Sequence, residues 1–221
     1  DKHTRLHLDH IPVIDEDGNR VDFLDILKRG LDAGFESLMV DGSRLPLDEN
    51  IKATSQACEI AHKGGVPLEA ELGAVLGHEA GPLPPYEELF KTGKGFTDVE
   101  QAKKFVSETG TDWLSVAIGN IHGAISGVLK DQKKVAARLN IERLKEINSA
   151  VGIPLVLHGG SGIQPQYIQE AIKNGITKIN IGTNIRQPYN KILNEAGSIE
   201  KAQNAVYDAV IYVMKNDLGM I

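Results

Sequence analysis

The sequence predicts an α/β fold built on parallel strands. Short runs rich in Val, Ile and Leu recur along the chain, and each ends in Gly, Asp, His or Asn. Each run is followed by a longer stretch in which apolar residues return with helical spacing. Because a helix must carry the chain back to the same edge of the sheet, strands that alternate with helices run parallel and are joined by right-handed crossovers.

Six strand–helix units are readable in the sequence. The strand candidates are TRLHLDH (4–10), SLMVDGS (37–43), VPLEAELG (66–73), WLSVAIGNIHG (113–123), IPLVLHGGSG (153–162) and TKINIGTN (177–184). Between them lie amphipathic stretches such as DVEQAKKFVSETG, in which Val99, Ala102 and Phe105 share one face and Gly110 marks the end. Two architectures fit: a doubly wound open sheet, or a (β/α)8 barrel whose first two units are absent from this chain.

Three segments are longer than the usual connection of about 2–6 residues, and the one at 124–140 holds a basic run that is expected to be a solvated face. Residues 74–97 are rich in Gly and Pro, and we expect them to form a mobile loop. Residues 11–23 are expected to form a small hairpin around the sequence EDGN, with an unknown role. The chain, including these segments, is predicted to be one domain, residues 1–221.

The composition excludes several classes of protein. The net charge is −6, and acidic and basic residues are interspersed, so we expect no nucleic-acid partner. No apolar run reaches the roughly 18 residues of a membrane helix. The single cysteine, Cys58, is compatible with a reducing compartment. These features predict a soluble, cytoplasmic protein that binds neither nucleic acid nor a membrane.

Reactive side chains fall at the carboxyl ends of the predicted strands, where parallel α/β folds place their active sites. They are Asp9, His10, Asp41, Glu69, Glu71, Asn120, His122, His158 and Asn180. Three of them, His10, His122 and His158, occupy equivalent positions on three strands. If these strands share one rim, three imidazoles converge, as a catalytic zinc requires of its protein ligands.

Two glycine-containing turns close the last two strands. HGGSG (158–162) and NIGTN (180–184) each lead from a strand into a helix. Such turns let backbone N–H groups point at an anion, and the last two turns of a barrel frequently bind phosphate. The sequence therefore predicts a phosphorylated ligand.

Six motifs carry a resemblance to a known family. LHLDH, LMVDGS, LEAELG, AIGNIHG, LVLHGGSG and KINIGTNIR, in this order, resemble the class II, zinc-dependent fructose-bisphosphate and tagatose-bisphosphate aldolases, from residue 4 to about residue 215. The resemblance implies a (β/α)8 barrel, without its first two units here. It also implies a lyase of glycolysis or related carbohydrate metabolism. That enzyme cleaves a ketose 1,6-bisphosphate reversibly into dihydroxyacetone phosphate and glyceraldehyde 3-phosphate.

The resemblance also implies a set of metal ligands. His10, His122 and His158 would bind the catalytic Zn²⁺, and Asp41 and Glu71 match residues that hold a second divalent metal in some members. The chemistry calls for such an ion, because cleavage of the carbon–carbon bond leaves a carbanion beside a carbonyl and a Lewis acid can take up its charge.

Catalytic and substrate-binding residues follow from the same motifs. Asp9 would be the proton donor to the aldehyde half, and Glu79 would exchange the proton on dihydroxyacetone phosphate. Asn180 would steady the enediolate. Backbone carbonyls at Gly123 and Gly159 are also candidates for a monovalent cation. The implied substrate site consists of Gly123, Gly159, Gly160, Ser161, Asn180, Ile181, Gly182 and Thr183.

Strand parity raises a question about the first motif. Adjacent strand residues face opposite sides, so Asp9 and His10 can both reach the site only if the strand ends between them, and we expect that it does. His7 shares the parity of Asp9, and we expect it to be structural.

Other functions remain open at this point. The chain could be a non-catalytic barrel subunit that stabilises an aldolase partner, or an aldolase for a phosphorylated deoxy-ketogluconate. The complete set of histidines and Asp9 favours the enzyme, because a binding-only relative would be expected to lose one of them. The resemblance implies a homodimer or a homotetramer.

Overall fold

The computed structural model describes residues 3–74, 85–120 and 137–220. The strands are β1 (His7–Pro12), β2 (Ser37–Asp41), β3 (Leu68–Leu72), β4 (Trp113–Val116), β5 (Leu155–Leu157) and β6 (Ile176–Ile179). The helices are α1 (Phe23–Asp32), α2 (Leu47–Lys63), α3 (Tyr86–Thr92), α4 (Val99–Thr109), α5 (Ile141–Val151), α6 (Pro165–Lys173), α7 (Thr183–Ala196) and α8 (Ile199–Tyr212), followed by a π-helical turn (Val213–Asp217). None of the described helices is both long enough and apolar enough to cross a bilayer.

The six strands form one parallel sheet in the order β1-β2-β3-β4-β5-β6. Each strand pairs with the next in sequence, as in the wall of a barrel. In a doubly wound sheet, by contrast, the spatial order of the strands reverses at a central strand. The six predicted units are therefore confirmed, and the doubly wound alternative is wrong. That two further units complete the barrel remains a prediction.

The sheet is curved into a half-barrel. Five strand spacings separate β1 from β6, which is about 24 Å in a flat sheet. Nevertheless Nδ2 of Asn180, one residue past β6, lies 3.1 Å from both carboxylate oxygens of Asp9 in β1. Side chains from the first and last strands thus meet across the concave face.

The convex face of the sheet carries the hydrophobic core. Alternate residues of the central strands are buried against the helices, among them Leu38, Val40, Leu68, Leu114, Leu155 and Leu157. Each such side chain contributes about 1.5–3 kcal/mol through burial. Because this apolar interface lies on the convex face, the concave face can carry polar side chains.

Capping residues determine where the helices begin and end. Asp98 accepts a hydrogen bond from the N–H of Gln101 at the start of α4, and Gly110, with φ of 70°, ends that helix as predicted. Asn140 caps α5 in the same way, through the N–H of Arg143. These caps fix where each connection leaves its helix and enters the next strand.

The predicted hairpin after β1 is confirmed. Ile14 and Arg20 form an antiparallel bridge, and the side chain of Asp15 accepts hydrogen bonds from the N–H groups of Asp17 and Asn19. In the segment predicted to be a mobile loop, 74–97, the second half contains α3, whereas residues 75–84 lie outside the described part of the chain.

Candidate active site

Mainly polar residues line the concave face of the half-barrel. Strand alternation and the pairing register bring together on this side His7, Ser37, Met39, Glu69, Glu71, Trp113, Ser115, Val156 and Lys178. Glu69 and Glu71 are almost fully buried, at 0% and 2% exposure. Buried carboxylates destabilise a fold unless they are paired, so their partners define the site.

A β-bulge in β1 places Asp9 and His10 beside each other at the site. Leu8 pairs with Leu38 and Ile11 with Val40, so two residues of β1 stand opposite the single residue Met39. The expectation that the strand ends between Asp9 and His10 is therefore wrong, because β1 continues to Pro12.

The bulge depends on an uncommon backbone conformation. His10 has a φ of 53°, in the left-handed region, which costs about 1–2 kcal/mol for a residue with a side chain. Its N–H donates to Sδ of Met39 at 3.4 Å. This rotation allows His10 to approach the ring of His158, with the ring centroids 4.4 Å apart and the planes inclined at 64°.

Two overlapping groups of side chains have the spacing of a metal site. Asp9, His10 and His158 each offer a donor atom within 4.8 Å of the others, and so do His10, Asp41 and Glu71. Imidazole nitrogens with carboxylate oxygens are a donor set that suits zinc. The structure thus brings together two of the three predicted zinc ligands and both residues of the predicted second metal site. The third ligand, His122, lies outside the described residues.

His158 lies between two carboxylates. Its Nε2 is 2.8 Å from Oε1 of Glu69, and its Nδ1 is 3.1 Å from Oε2 of Glu71. Burial lowers the pKa of His158, but the contacts with both glutamates outweigh it and raise this pKa to about 10. Burial, and then the charge of Asp41, raise the pKa of Glu71 to about 7. Without an ion, the proton on His158 balances this acidic pair, and a divalent cation would replace it.

Asn120 fixes the end of β4 against the end of β5. It is buried, and its Nδ2 donates to the carbonyls of Val116, at 3.3 Å, and His158, at 3.1 Å. Its Oδ1 accepts the N–H of Ile118 at 2.9 Å. The predicted strand-end residue Asn120 thus holds the backbone of a candidate metal ligand.

Asp9 is surrounded by donors and positive charge. Asn180 donates to both its oxygens, His7 Nε2 lies 3.3 Å from Oδ1, and Lys178 Nζ lies 3.8 Å from the same oxygen. Partial burial raises the pKa of Asp9, but the His7 contact and the charges of His10 and Lys178 lower it well below its usual range. Asp9 is therefore ionised at neutral pH.

Sequence reasoning missed a cluster around Glu69. Lys178 Nζ lies 2.7 Å from Oε2 of Glu69, and His7 Nε2 lies 3.5 Å from the same oxygen. His7, Asp9 and Glu69 also have metal-like spacing, but Lys178 contacts two of their oxygens, so an ammonium group already neutralises this group. Lys178 could have been found from strand alternation, because Lys178 and Asn180 are two residues apart and therefore face the same side of the sheet.

The two glycine turns lie side by side. The N–H of Gly160 donates to the carbonyl of Asn180 at 3.0 Å, and Oγ of Ser161 accepts the N–H of Asn184 at 3.2 Å. A Cβ added at Gly160 would approach Cγ2 of Ile179 to 2.7 Å, so only glycine fits there without displacement.

Helix α7 begins beside these turns. The cap residue Gly182 provides no side-chain hydrogen bond to the first turn, and a Cβ added there would meet no atom within 4 Å. The predicted residues Ile181, Gly182 and Thr183 thus form a helix N-terminus that opens onto free space, a suitable geometry for an anion. Glu79 and Gly123 lie outside the described residues, whereas Gly159 has a φ of 69° in the first turn.

Fold and site together define the class: a half-barrel of βα units with a candidate divalent-metal site beside two anion-binding turns. The family model for class-II fructose-bisphosphate aldolase matches residues 3–220. The chain therefore belongs to the class II fructose-bisphosphate aldolase family.

Individual relatives agree with this assignment. The fructose-bisphosphate aldolase of Staphylococcus epidermidis is 35% identical over 208 residues, which are 94% of this chain and 63% of the relative. That of Geobacillus stearothermophilus is 36% identical over 190 residues, which are 86% of this chain and 58% of the relative. This chain thus spans less than two thirds of these relatives. The crystal structure of the YdjI aldolase from Escherichia coli K12 superposes with a TM-score of 0.69 at 32% identity, covering 97% of this chain and 70% of that one.

Proposed function

We propose that this chain carries most of the active site of a zinc-dependent aldolase. The reaction is the reversible cleavage of a ketose 1,6-bisphosphate, fructose or tagatose bisphosphate, into dihydroxyacetone phosphate and glyceraldehyde 3-phosphate. The observation that carries the proposal is the approach of His10, His158 and Asp9 on the concave face, beside two glycine turns, in a chain of this family.

His10, His158 and His122 would hold the zinc, and Asp41 and Glu71 would hold a second divalent metal. When bound, the zinc would supply the Lewis acid that stabilises the negative charge released as the carbon–carbon bond breaks. The donor set supports this assignment, since nitrogens of His10 and His158 and a carboxylate oxygen of Asp9 lie within 4.8 Å of one another.

Asp9 would transfer the proton on the aldehyde half of the substrate. Asp9 is ionised in the resting protein. In cleavage this carboxylate would accept the proton of the substrate hydroxyl, and in condensation it would return that proton. Asn180 donates to both carboxylate oxygens and thereby orients Asp9. Asn180 would also steady the enediolate. Glu79 would exchange the proton on the dihydroxyacetone phosphate carbon.

The substrate phosphate would bind at the paired turns. Gly159, Gly160 and Ser161 lie on one side and the segment 180–183 on the other, next to the positive end of α7. The N–H of Gly160 donates to the carbonyl of Asn180 and holds the two turns together, so other backbone N–H groups of the turns would bind the phosphate. Carbonyls of Gly123 and Gly159 would hold a monovalent cation. We further propose a cytoplasmic homodimer or homotetramer in which two more βα units complete the barrel.

Metal analysis combined with an activity assay tests the proposal. The purified protein should contain zinc, cleave fructose bisphosphate, lose that activity with a chelator and regain it with zinc. Parallel assays with tagatose bisphosphate and a phosphorylated deoxy-ketogluconate rank the substrates by kcat/KM. Cleavage that persists after complete removal of the metal would show that the zinc mechanism is wrong.

A further inference from the structure

The carboxylate of Glu69 is engaged on two sides. Oε1 lies 2.8 Å from Nε2 of His158, and Oε2 lies 2.7 Å from Nζ of Lys178. Glu69 is fully buried, and the ammonium group of Lys178 donates to its carboxylate, which is the pairing expected of an ionised side chain. An ionised carboxylate has no proton to donate, so Nε2 of His158 is the donor in this contact.

This hydrogen bond determines which nitrogen of His158 is available to a metal. A metal-binding histidine that donates one ring N–H to a carboxylate is held in one orientation and one tautomer, and its other nitrogen is the ligand. The other nitrogen here, Nδ1, faces Glu71 at 3.1 Å. His158 therefore presents Nδ1 to the group of residues assigned to the metals.

Lys178 in turn fixes Glu69. Its ammonium group contacts Glu69 directly and lies 3.8 Å from Oδ1 of Asp9, with its side chain 28% exposed. It is thus a shared counter-charge for two carboxylates on different strands. Removal of that counter-charge would leave Oε2 of Glu69 buried with only the 3.5 Å contact to His7 among the ion pairs described.

We propose that Glu69 and Lys178 are positioning residues of the metal site. Lys178 fixes the carboxylate of Glu69, and Glu69 fixes the ring of His158 with Nδ1 ready for the ion. The inference rests on the proposed function, because it takes His158 as a zinc ligand. Neither residue is required to touch the substrate, since both act through His158.

Two simpler roles would give different results. If the Lys178–Glu69 pair only stabilises the fold, its loss lowers stability and leaves zinc affinity unchanged. If Lys178 acts only as a nearby positive charge, its removal strengthens the attraction for a cation, and zinc binds more tightly. The positioning role predicts weaker binding.

Zinc affinity measured on metal-stripped protein, by competition with a chromophoric chelator, separates these roles. We expect Glu69→Gln to raise the zinc Kd about 10–100-fold, because a single amide oxygen cannot face both His158 and Lys178. Lys178→Met should raise it about 10-fold, and the double variant should bind about as weakly as Glu69→Gln alone, because the two residues act in series.

Lys173→Met is the matched control. Lys173 lies on α6, pairs with Glu170 at 3.7 Å and is 72% exposed. The substitution therefore also removes an ion pair of a lysine, but this pair is far more exposed than the pair of Lys178 and Glu69. It should leave the zinc Kd unchanged. Thermal unfolding in excess chelator measures the stability of each metal-free variant separately from its affinity.

An unchanged or lower zinc Kd in Glu69→Gln overturns the inference. If Lys178→Met does not fold, the result for Glu69→Gln decides by itself. Fully additive losses in the double variant also overturn it. Failure of the wild-type protein to bind zinc refutes the proposed function and this inference with it. Zinc binding by the wild type with unchanged affinity in the variants refutes only the inference.

Discussion

The metal-free protein should become less stable as the pH rises above neutrality. The cause is the titration of His158. Burial lowers its pKa, but the contacts with Glu69 and Glu71 outweigh burial and raise this pKa from 6.5 to about 10. A group with a raised folded pKa contributes stability that is complete below its unfolded pKa and is lost as the pH rises through the folded value.

The magnitude follows from proton linkage. Between the two pKa values the folded state holds one more proton than the unfolded state, so each pH unit lowers the free energy of unfolding by about 1.4 kcal/mol. From about pH 7 to about pH 8.5 the expected loss is about 2 kcal/mol. Burial and the charge of Asp41 raise the pKa of Glu71 to about 7. Glu71 therefore adds its own loss of stability with rising pH, mainly below this window. Burial raises the pKa of Cys58 to about 12, so the loss of stability that comes from Cys58 begins above this pH window.

Urea unfolding in excess chelator, at the two ends of this window, measures the effect. The variant His158→Gln should show a much flatter pH dependence, because the titrating group is gone. With zinc present the loss should shrink, since zinc binding releases the His158 proton and becomes tighter as the pH rises. A metal-free wild-type protein that is equally stable or more stable at the higher pH would refute the reasoning, as would an undiminished slope in His158→Gln.

Three further predictions concern catalysis. Asp9→Asn should lower kcat by about 10²–10⁴-fold while zinc content stays constant, and loss of zinc in this variant would make Asp9 a ligand instead. Glu79→Ala should suppress proton exchange on dihydroxyacetone phosphate, followed by NMR in deuterated buffer, with zinc retained; undiminished exchange would remove Glu79 from that role. Gly160→Ala should raise the KM about 10-fold or more, because its Cβ would approach Ile179 to 2.7 Å and separate the two phosphate turns; an unchanged KM would argue against a phosphate at this turn.

The sequence was sufficient for features that depend on local pattern. Alternating apolar runs predicted six parallel strands, and the EDGN segment predicted a hairpin, because turn chemistry and strand periodicity act over a few residues. Gly110 predicted the end of α4 for the same reason. His10 and His158 could be grouped in advance because parallel strands present their carboxyl ends at one edge.

Features that depend on curvature and pairing could not be read in this way. The bulge at Asp9 and His10 exists because both residues stand opposite Met39, and no local signal in the LHLDH motif specifies that register. The pair of Lys178 and Glu69 joins residues 109 positions apart on strands that are not neighbours in the sheet. Only the curvature of the half-barrel brings them within contact distance.

The bulge explains why the first motif can serve two purposes in one strand. In a regular strand Asp9 and His10 would face opposite sides, and only one of them could reach His158 or Asn180. With one extra residue opposite Met39 and φ of 53° at His10, both side chains reach the same region, while Ile11 returns to register with Val40. The left-handed conformation costs about 1–2 kcal/mol, and the pairing on either side of the bulge maintains it. A candidate metal ligand and the carboxylate proposed to transfer a proton can therefore occupy consecutive positions, with donor atoms of Asp9, His10 and His158 within 4.8 Å of one another.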